Sequence, residues 1–157
     1  MSRSLLFVAA LLALAAIPAG LALGDSPAPG LRTIKLKERG GSLKALDLPP
    51  RARTAHSPAS PGDEVVFTRS LTSADGRAAG TFHAVCVVTK PHGGIETSLY
   101  QCSGTYVLTD GTLALDFAGS LSGQSRTFAI TGGTGNYAGA RGTVASVGGT
   151  DTIDLLA

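Results

Sequence analysis

The sequence predicts an exported, all-β protein whose single antiparallel sheet closes into an eight-stranded up-and-down, lipocalin-like barrel. Three observations carry that prediction. A hydrophobic leader precedes the domain, turn dipeptides punctuate the chain from residue 62 onward, and the strand-forming runs between those turns share one apolar face.

The leader is read first. Arg3 supplies a short positive start, and Leu5 to Ile17 is an unbroken apolar run. Pro18 and Gly20 break a helix, and Ala22-Leu23-Gly24 offers the small residues that a leader peptidase reads ahead of Asp25. Residues 1–24 are therefore expected to be a signal peptide cleaved near Gly24, with a secreted, extracellular product. The apolar run falls short of the roughly 20 residues a bilayer crossing needs, and no cysteine follows it. No stable membrane anchor is expected after cleavage.

What remains is one domain's worth of chain. It holds most of the protein's 21 glycines and no tryptophan, and only 15% of the whole chain is charged. Short strands and tight turns suit that composition better than a helical bundle does. The net charge of +2 is slight, and no Lys/Arg cluster alternates with aromatic residues, so nucleic acid is not an expected partner.

Residues 25–61 read as an N-terminal arm. Thr33 to Lys37 alternates as a first strand, Leu43 to Leu48 reads as a second extended piece, and Pro49 to Pro61 is a Pro/Ser-rich loop. Residues 62–157 read as the barrel core. Hairpins centred on Asp75-Gly76, Gly93-Gly94, Asp110-Gly111 and Gly123-Gln124 imply a meander, to which Thr143–Val147 and Thr152–Leu156 add strands.

These centres set a register. The first hairpin places Phe67 opposite Ala84 and Val65 opposite Cys86. The second places Cys86 opposite Cys102 and Phe82 opposite Tyr106. The third places Tyr106 opposite Leu115 and Gly104 opposite Phe117, and the fourth pairs Phe117 with Ile130 and Gly119 with Phe128. Side chains alternate with period two, so each strand presents one parity to each face. One parity collects Val65, Phe67, Phe82, Leu115, Phe117 and Phe128, while the other collects Glu64, Thr68, His83, Gln101, Ser103 and Asp116. A sheet with one apolar face must bury it. Closure into a barrel does so and removes both edges, and a two-sheet sandwich is the alternative that pattern leaves open.

Three segments also carry a family resemblance: Gly62 to Thr68, Val85 to Val88, and the glycine-rich run from Phe128 to Gly142 that begins Phe-Ala-Ile-Thr-Gly-Gly-Thr-Gly. They resemble the allene oxide cyclase/dirigent-like barrel superfamily, and its secreted bacterial members in particular. The resemblance implies an eight-stranded barrel with an internal cavity, frequently a homotrimer, acting as a cyclase or as a stereochemical guide in radical coupling. It also implies that Phe67 and Cys86 line the cavity and that Arg69 stands where allene oxide cyclases carry an asparagine. The family's cavity glutamate and a further asparagine fall on the first strand, where this chain is expected to present Lys35 and Lys37. Those replacements speak against allene oxide cyclisation itself.

The residues themselves suggest further chemistry. Cys86 and Cys102, opposed in an exported chain, are expected to form a disulfide, with a free cavity thiol as the rival reading. Arg69, Tyr100 and Tyr106 are the polar exceptions on the inward face and the candidate catalytic residues. An inward arginine needs a partner or an anionic ligand, and a tyrosine can donate a proton. The plainer reading is a solvated Arg69 at the barrel mouth with packed tyrosines. Phe67, Phe82, Cys86, Leu115, Phe117 and Phe128 are the expected ligand-cavity residues. Asp63 reads as a turn residue. His56, His83 and His92 share no metal-ligand spacing, and the Gly132–Gly135 run lacks the lysine and helix of a phosphate loop. No cofactor is expected.

The expected function is a cofactor-free cyclase of isomerase type, or a stereoguiding barrel, acting on a small, largely apolar metabolite. A non-catalytic carrier of such a ligand and a structural barrel with a filled core are the alternatives. Turnover separates the first from the second, and a cavity separates both from the third.

Overall fold

The computed structural model describes residues 30–49 and 59–156. The expected leader lies outside the described residues, as does most of the Pro/Ser-rich loop. Eight strands follow in order: β1 (Leu31–Leu46), β2 (Glu64–Ser73), β3 (Ala78–Lys90), β4 (Leu99–Leu108), β5 (Gly111–Ser120), β6 (Ser125–Gly133), β7 (Arg141–Val147) and β8 (Thr150–Leu156). One 3-10 turn, Gly135–Tyr137, lies between β6 and β7. Each strand is antiparallel to its chain neighbours, and β8 pairs back onto β1. The sheet is a closed barrel, not a sandwich.

The first two hairpins have the register expected of them, with Phe67 opposite Ala84, Cys86 opposite Cys102, and Phe82 opposite Tyr106. The next two are shifted by two residues. Tyr106 pairs with Leu113 and Gly104 with Leu115, because Leu108 already pairs with Gly111 and the tight turn is Thr109-Asp110. Only glycine fits at this first strand position: a Cβ on Gly111 would stand 2.1 Å from the Thr134 carbonyl oxygen. Likewise Leu115, not Phe117, pairs with Ile130, after a bulge between Ala114 and Leu115. A shift of two keeps every side chain on its face, so the apolar lining survives both corrections.

The arm is also different. Its two expected pieces are one 16-residue strand with a bulge between Arg39 and Gly41. Gly40 takes a positive φ of 29°. A Cβ on Gly41 would lie 2.1 Å from the Thr68 carbonyl oxygen, so only glycine fits. The extra residue flips the inward parity. Leu36 and Glu38 face inward before the bulge, and Gly41 and Leu43 are paired with the inward residues Arg69 and Phe67 after it.

The barrel is filled at one end and hollow at the other. Leu36, Leu113, Tyr137, Val144, Ile153 and Leu155 pack into a buried cluster, with Tyr137 brought in by the 3-10 turn. Burial of each large apolar side chain contributes about 1.5–3 kcal/mol. At the opposite end the loops around Ile95 and Leu121 border an open mouth. The wall there has a seam. The β5–β6 ladder joins only Leu113–Asp116 to Ala129–Gly133, leaving residues 117–120 without ladder partners among residues 125–128. Phe117 and Phe128 close the gap with side chains, their ring centroids 5.2 Å apart.

Candidate functional site

The hollow end encloses a cavity of about 460 Å³, within the roughly 300–1,000 Å³ usual for small-molecule sites. Its walls include all six residues expected there: Phe67, Phe82, Cys86, Leu115, Phe117 and Phe128. Phe67 and Phe82 pack with centroids 5.7 Å apart, and Phe82 lies against Tyr106 at 4.7 Å. Gly104 makes room for that stack, because a Cβ there would come within 2.8 Å of the Phe82 ring. Cys86 and Cys102 are joined in a disulfide with Cα atoms 4.0 Å apart, and both line the wall. The free-thiol reading is thereby set aside.

Five strands bring the charged side chains of the barrel wall and one phenol to the cavity. β1 supplies Glu38, β2 Arg69, β4 Tyr106, β6 Arg126 and β8 Asp151. Arg69 lines the cavity half-buried at its rim. Its Nε stands 3.6 Å from Glu38 Oε2, and Nη1 donates to the carbonyls of Thr68 (2.8 Å) and Ser42 (3.2 Å). Its guanidinium also lies 5.6 Å from the centroid of the Phe67 ring. Tyr106 is deeply buried and donates its hydroxyl proton to Asp151 Oδ2 at 2.8 Å. Burial, then the charge of Asp151, pushes the Tyr106 hydroxyl well above its ordinary range, so it stays protonated. The Glu38 carboxyl is raised as well, chiefly by burial and then by Asp151, with Arg69 and Arg126 pulling the other way.

Three expectations need correction. Tyr100 is buried on the inward parity, but it does not line the cavity. It sits beneath the loop joining β3 to β4, where its hydroxyl donates to the Ile95 carbonyl. Lys35 and Lys37 do not stand in for a cavity acid, because both are exposed on the outer parity of β1. The acid is present one residue further on, as Glu38. Asp151, the second inward carboxyl, was also missed. The signal was available: Ile34 and Leu36 define the inward parity that continues to Glu38, and Ile153 and Leu155 define the one that continues back to Asp151.

Asp63 is the turn residue it was expected to be. Its carboxylate accepts from the backbone N–H of Ser60 (2.7 Å) and of Leu48 (3.0 Å), tying the β1–β2 connection together. His83 is exposed on the outer face and His92 is exposed in a loop.

A sequence profile for the allene oxide cyclase barrel-like domain matches residues 51–150. The chain belongs to the allene oxide cyclase barrel-like family. No curated protein matches it. Among solved structures it is similar to a pyocyanin demethylase, with a TM-score of 0.58 at 22% identity, covering 80% of this chain and 98% of that one. An exo-specific intermolecular Diels–Alderase gives 0.59 at 15% identity, with the same coverages of 80% and 98%. A pterocarpan synthase dirigent protein gives 0.52 at 18% identity, covering 80% of this chain and 87% of that one. At these identities the likeness is one of fold. The proteins compared share a barrel, and the chemistry of this member of the allene oxide cyclase barrel-like family rests on its own cavity lining.

Proposed function

We propose that this barrel is a secreted, cofactor-free cyclase of isomerase type acting on a small, largely apolar metabolite. One observation carries the reading: a largely apolar cavity of about 460 Å³ whose wall holds the Glu38 carboxyl beside Arg69, with a raised pKa. The aromatic walls favour one folded conformer of a flexible substrate, which supplies the entropic part of ring closure. Glu38 removes a proton from one substrate atom and returns it to another, so no net oxidation or reduction occurs. A raised pKa makes the carboxylate a stronger base toward the substrate than an exposed glutamate would be. Arg69 offsets the Glu38 charge when it ionises, and Tyr106 holds Asp151 in place. The stereochemical outcome follows from which face of the folded substrate Glu38 meets.

Native mass spectrometry of the protein recovered from the medium of the cells that make it tests this reading. The expected result is a retained cyclic product whose open-chain isomer is converted by the purified protein alone and not by Glu38→Gln. A retained molecule whose isomer is never converted would make the barrel a carrier. A barrel that retains nothing and binds no apolar probe would overturn both readings.

A further inference from the structure

Among the described residues, two buried side-chain polar atoms have no hydrogen-bond partner: Asp151 Oδ1 and Arg126 Nε. Both residues line the cavity. Their positions are related by the sheet. Arg126 on β6 is the cross-strand partner of Ser146 on β7, and Ser146 is the partner of Asp151 on β8. Ser146 also lines the cavity. The three form one row across adjacent strands. At a strand spacing of about 4.8 Å, the ends of the row stand roughly 10 Å apart along the backbone.

Each end is held by contacts that leave one atom free. Tyr106 engages Asp151 Oδ2, and Asp151 is only 1% exposed, so its Oδ1 is a fixed acceptor without a donor. Arg126 spends Nη2 on the carbonyls of Leu121 and Gly123, which fixes the guanidinium and leaves its Nε–H as a donor without an acceptor. A buried polar atom without a partner is costly, and a ligand that satisfies it recovers that cost on binding.

The structure assigns the row Arg126–Ser146–Asp151 as a recognition strip for the substrate's polar edge. That edge carries a hydrogen-bond donor for Asp151 and an acceptor for Arg126. The strip is charge-balanced, so the substrate class is a neutral, apolar molecule bearing a hydroxyl or N–H together with a carbonyl. Hydrocarbons, simple esters and free carboxylic acids are disfavoured: the first two leave Asp151 Oδ1 unpaired, and the third sets an anion against it. The assignment rests on the barrel being a small-molecule site, and it adds which molecules that site prefers.

Isothermal titration calorimetry with a matched naphthalene series tests it. 6-Acetyl-2-naphthol offers both groups, its methyl ether lacks the donor, 6-ethyl-2-naphthol lacks the acceptor, and 2-ethylnaphthalene lacks both. The expected result is that 6-acetyl-2-naphthol binds about tenfold to a hundredfold tighter than either singly altered probe. In Asp151→Asn, whose amide can keep its oxygen on Tyr106 and turn its N–H₂ to the cavity, the preference for the naphthol over its methyl ether should vanish or reverse. In Arg126→Met the preference for the ketone over the ethyl compound should vanish. Unchanged affinity for 2-ethylnaphthalene in both variants shows that the cavity is intact. Equal affinities of the wild type for the naphthol and its methyl ether, with 2-ethylnaphthalene bound, would overturn the strip and leave the cavity standing. Failure to bind any of the four would overturn the cavity and the strip together.

Discussion

In the proposed reaction the chemistry rests on one side chain, Glu38. Its carboxyl is half-buried, faces Arg69 at 3.6 Å, and shares the cavity with Asp151. Burial and the neighbouring carboxylate raise its folded pKa above the ordinary value of 4.5. A raised folded pKa contributes stability that is fully present below the unfolded pKa and is lost as pH rises through the folded one. Thermal melts of wild type and Glu38→Gln should therefore diverge as pH rises from the ordinary glutamate value through the raised folded one, with the glutamine variant gaining relative stability as pH increases. A constant difference across that range would mean that Glu38 ionises without penalty. At this scale the sequence was legible in face but not in depth. Alternation put Phe67, Cys86, Tyr100 and Tyr106 on one side, and all four are buried or line the cavity. Alternation says nothing about height along the barrel axis, so Tyr100 and Tyr106 read alike although only Tyr106 reaches the cavity.

Among the elements, β1 and the β5–β6 pair decide the shape of the site. In β1 a Gly-Gly bulge reverses which parity points inward, so that Glu38 and the cavity-lining Leu43 stand on one side of the sheet although five residues apart. The flanking periodicity located both halves of β1, but a bulge between them is set by close contact with the Thr68 backbone, a tertiary fact. The β5–β6 ladder stops short of the mouth, and packing of Phe117 on Phe128 takes its place. Backbone amides of residues 117–120 on the β6-facing edge lack the ladder that protects the rest of the wall. Hydrogen–deuterium exchange should show this edge opening faster than the β3–β4 ladder, whose ten pairs run from Gly80 to Lys90. Phe128→Ala should accelerate it further, since the aromatic pair is what bridges the seam. Equal protection of the two ladders would show that the seam is closed by hydrogen bonds after all. The third and fourth hairpins teach a related lesson: a turn dipeptide locates a hairpin, but not which two residues turn or where a bulge falls.

For the molecule as a whole, a closed barrel that is hollow at one end has fewer apolar contacts to stabilise its mouth. The Cys86–Cys102 disulfide ties β3 to β4 there, at a sequence separation of 16. A loop of that length restricts the unfolded chain by about 3 kcal/mol in the loop-entropy account. The double variant Cys86→Ala/Cys102→Ala should lose about 2–4 kcal/mol in denaturant unfolding, and reductant should then leave its midpoint unchanged while lowering that of the wild type. A disulfide accords with the expected export. The overall architecture was the most legible feature, because face separation across consecutive hairpins is a global property that survives local register shifts of two. The polar lining was the least legible, since it depends on where five strands converge in space.

The central claim is that the Glu38 carboxyl, in a largely apolar cavity, performs proton transfer without a cofactor. Base-promoted ring opening of 5-nitrobenzisoxazole, a flat apolar molecule whose reaction needs only proton abstraction, tests it most directly. A carboxylate shielded from water should open the ring about a hundredfold faster than acetate at equal concentration. The rate should rise with pH as Glu38 ionises, collapse in Glu38→Gln, and persist in Lys35→Gln, whose side chain lies outside the barrel. A wild-type rate no greater than that of acetate, or an undiminished rate in Glu38→Gln, would contradict the account.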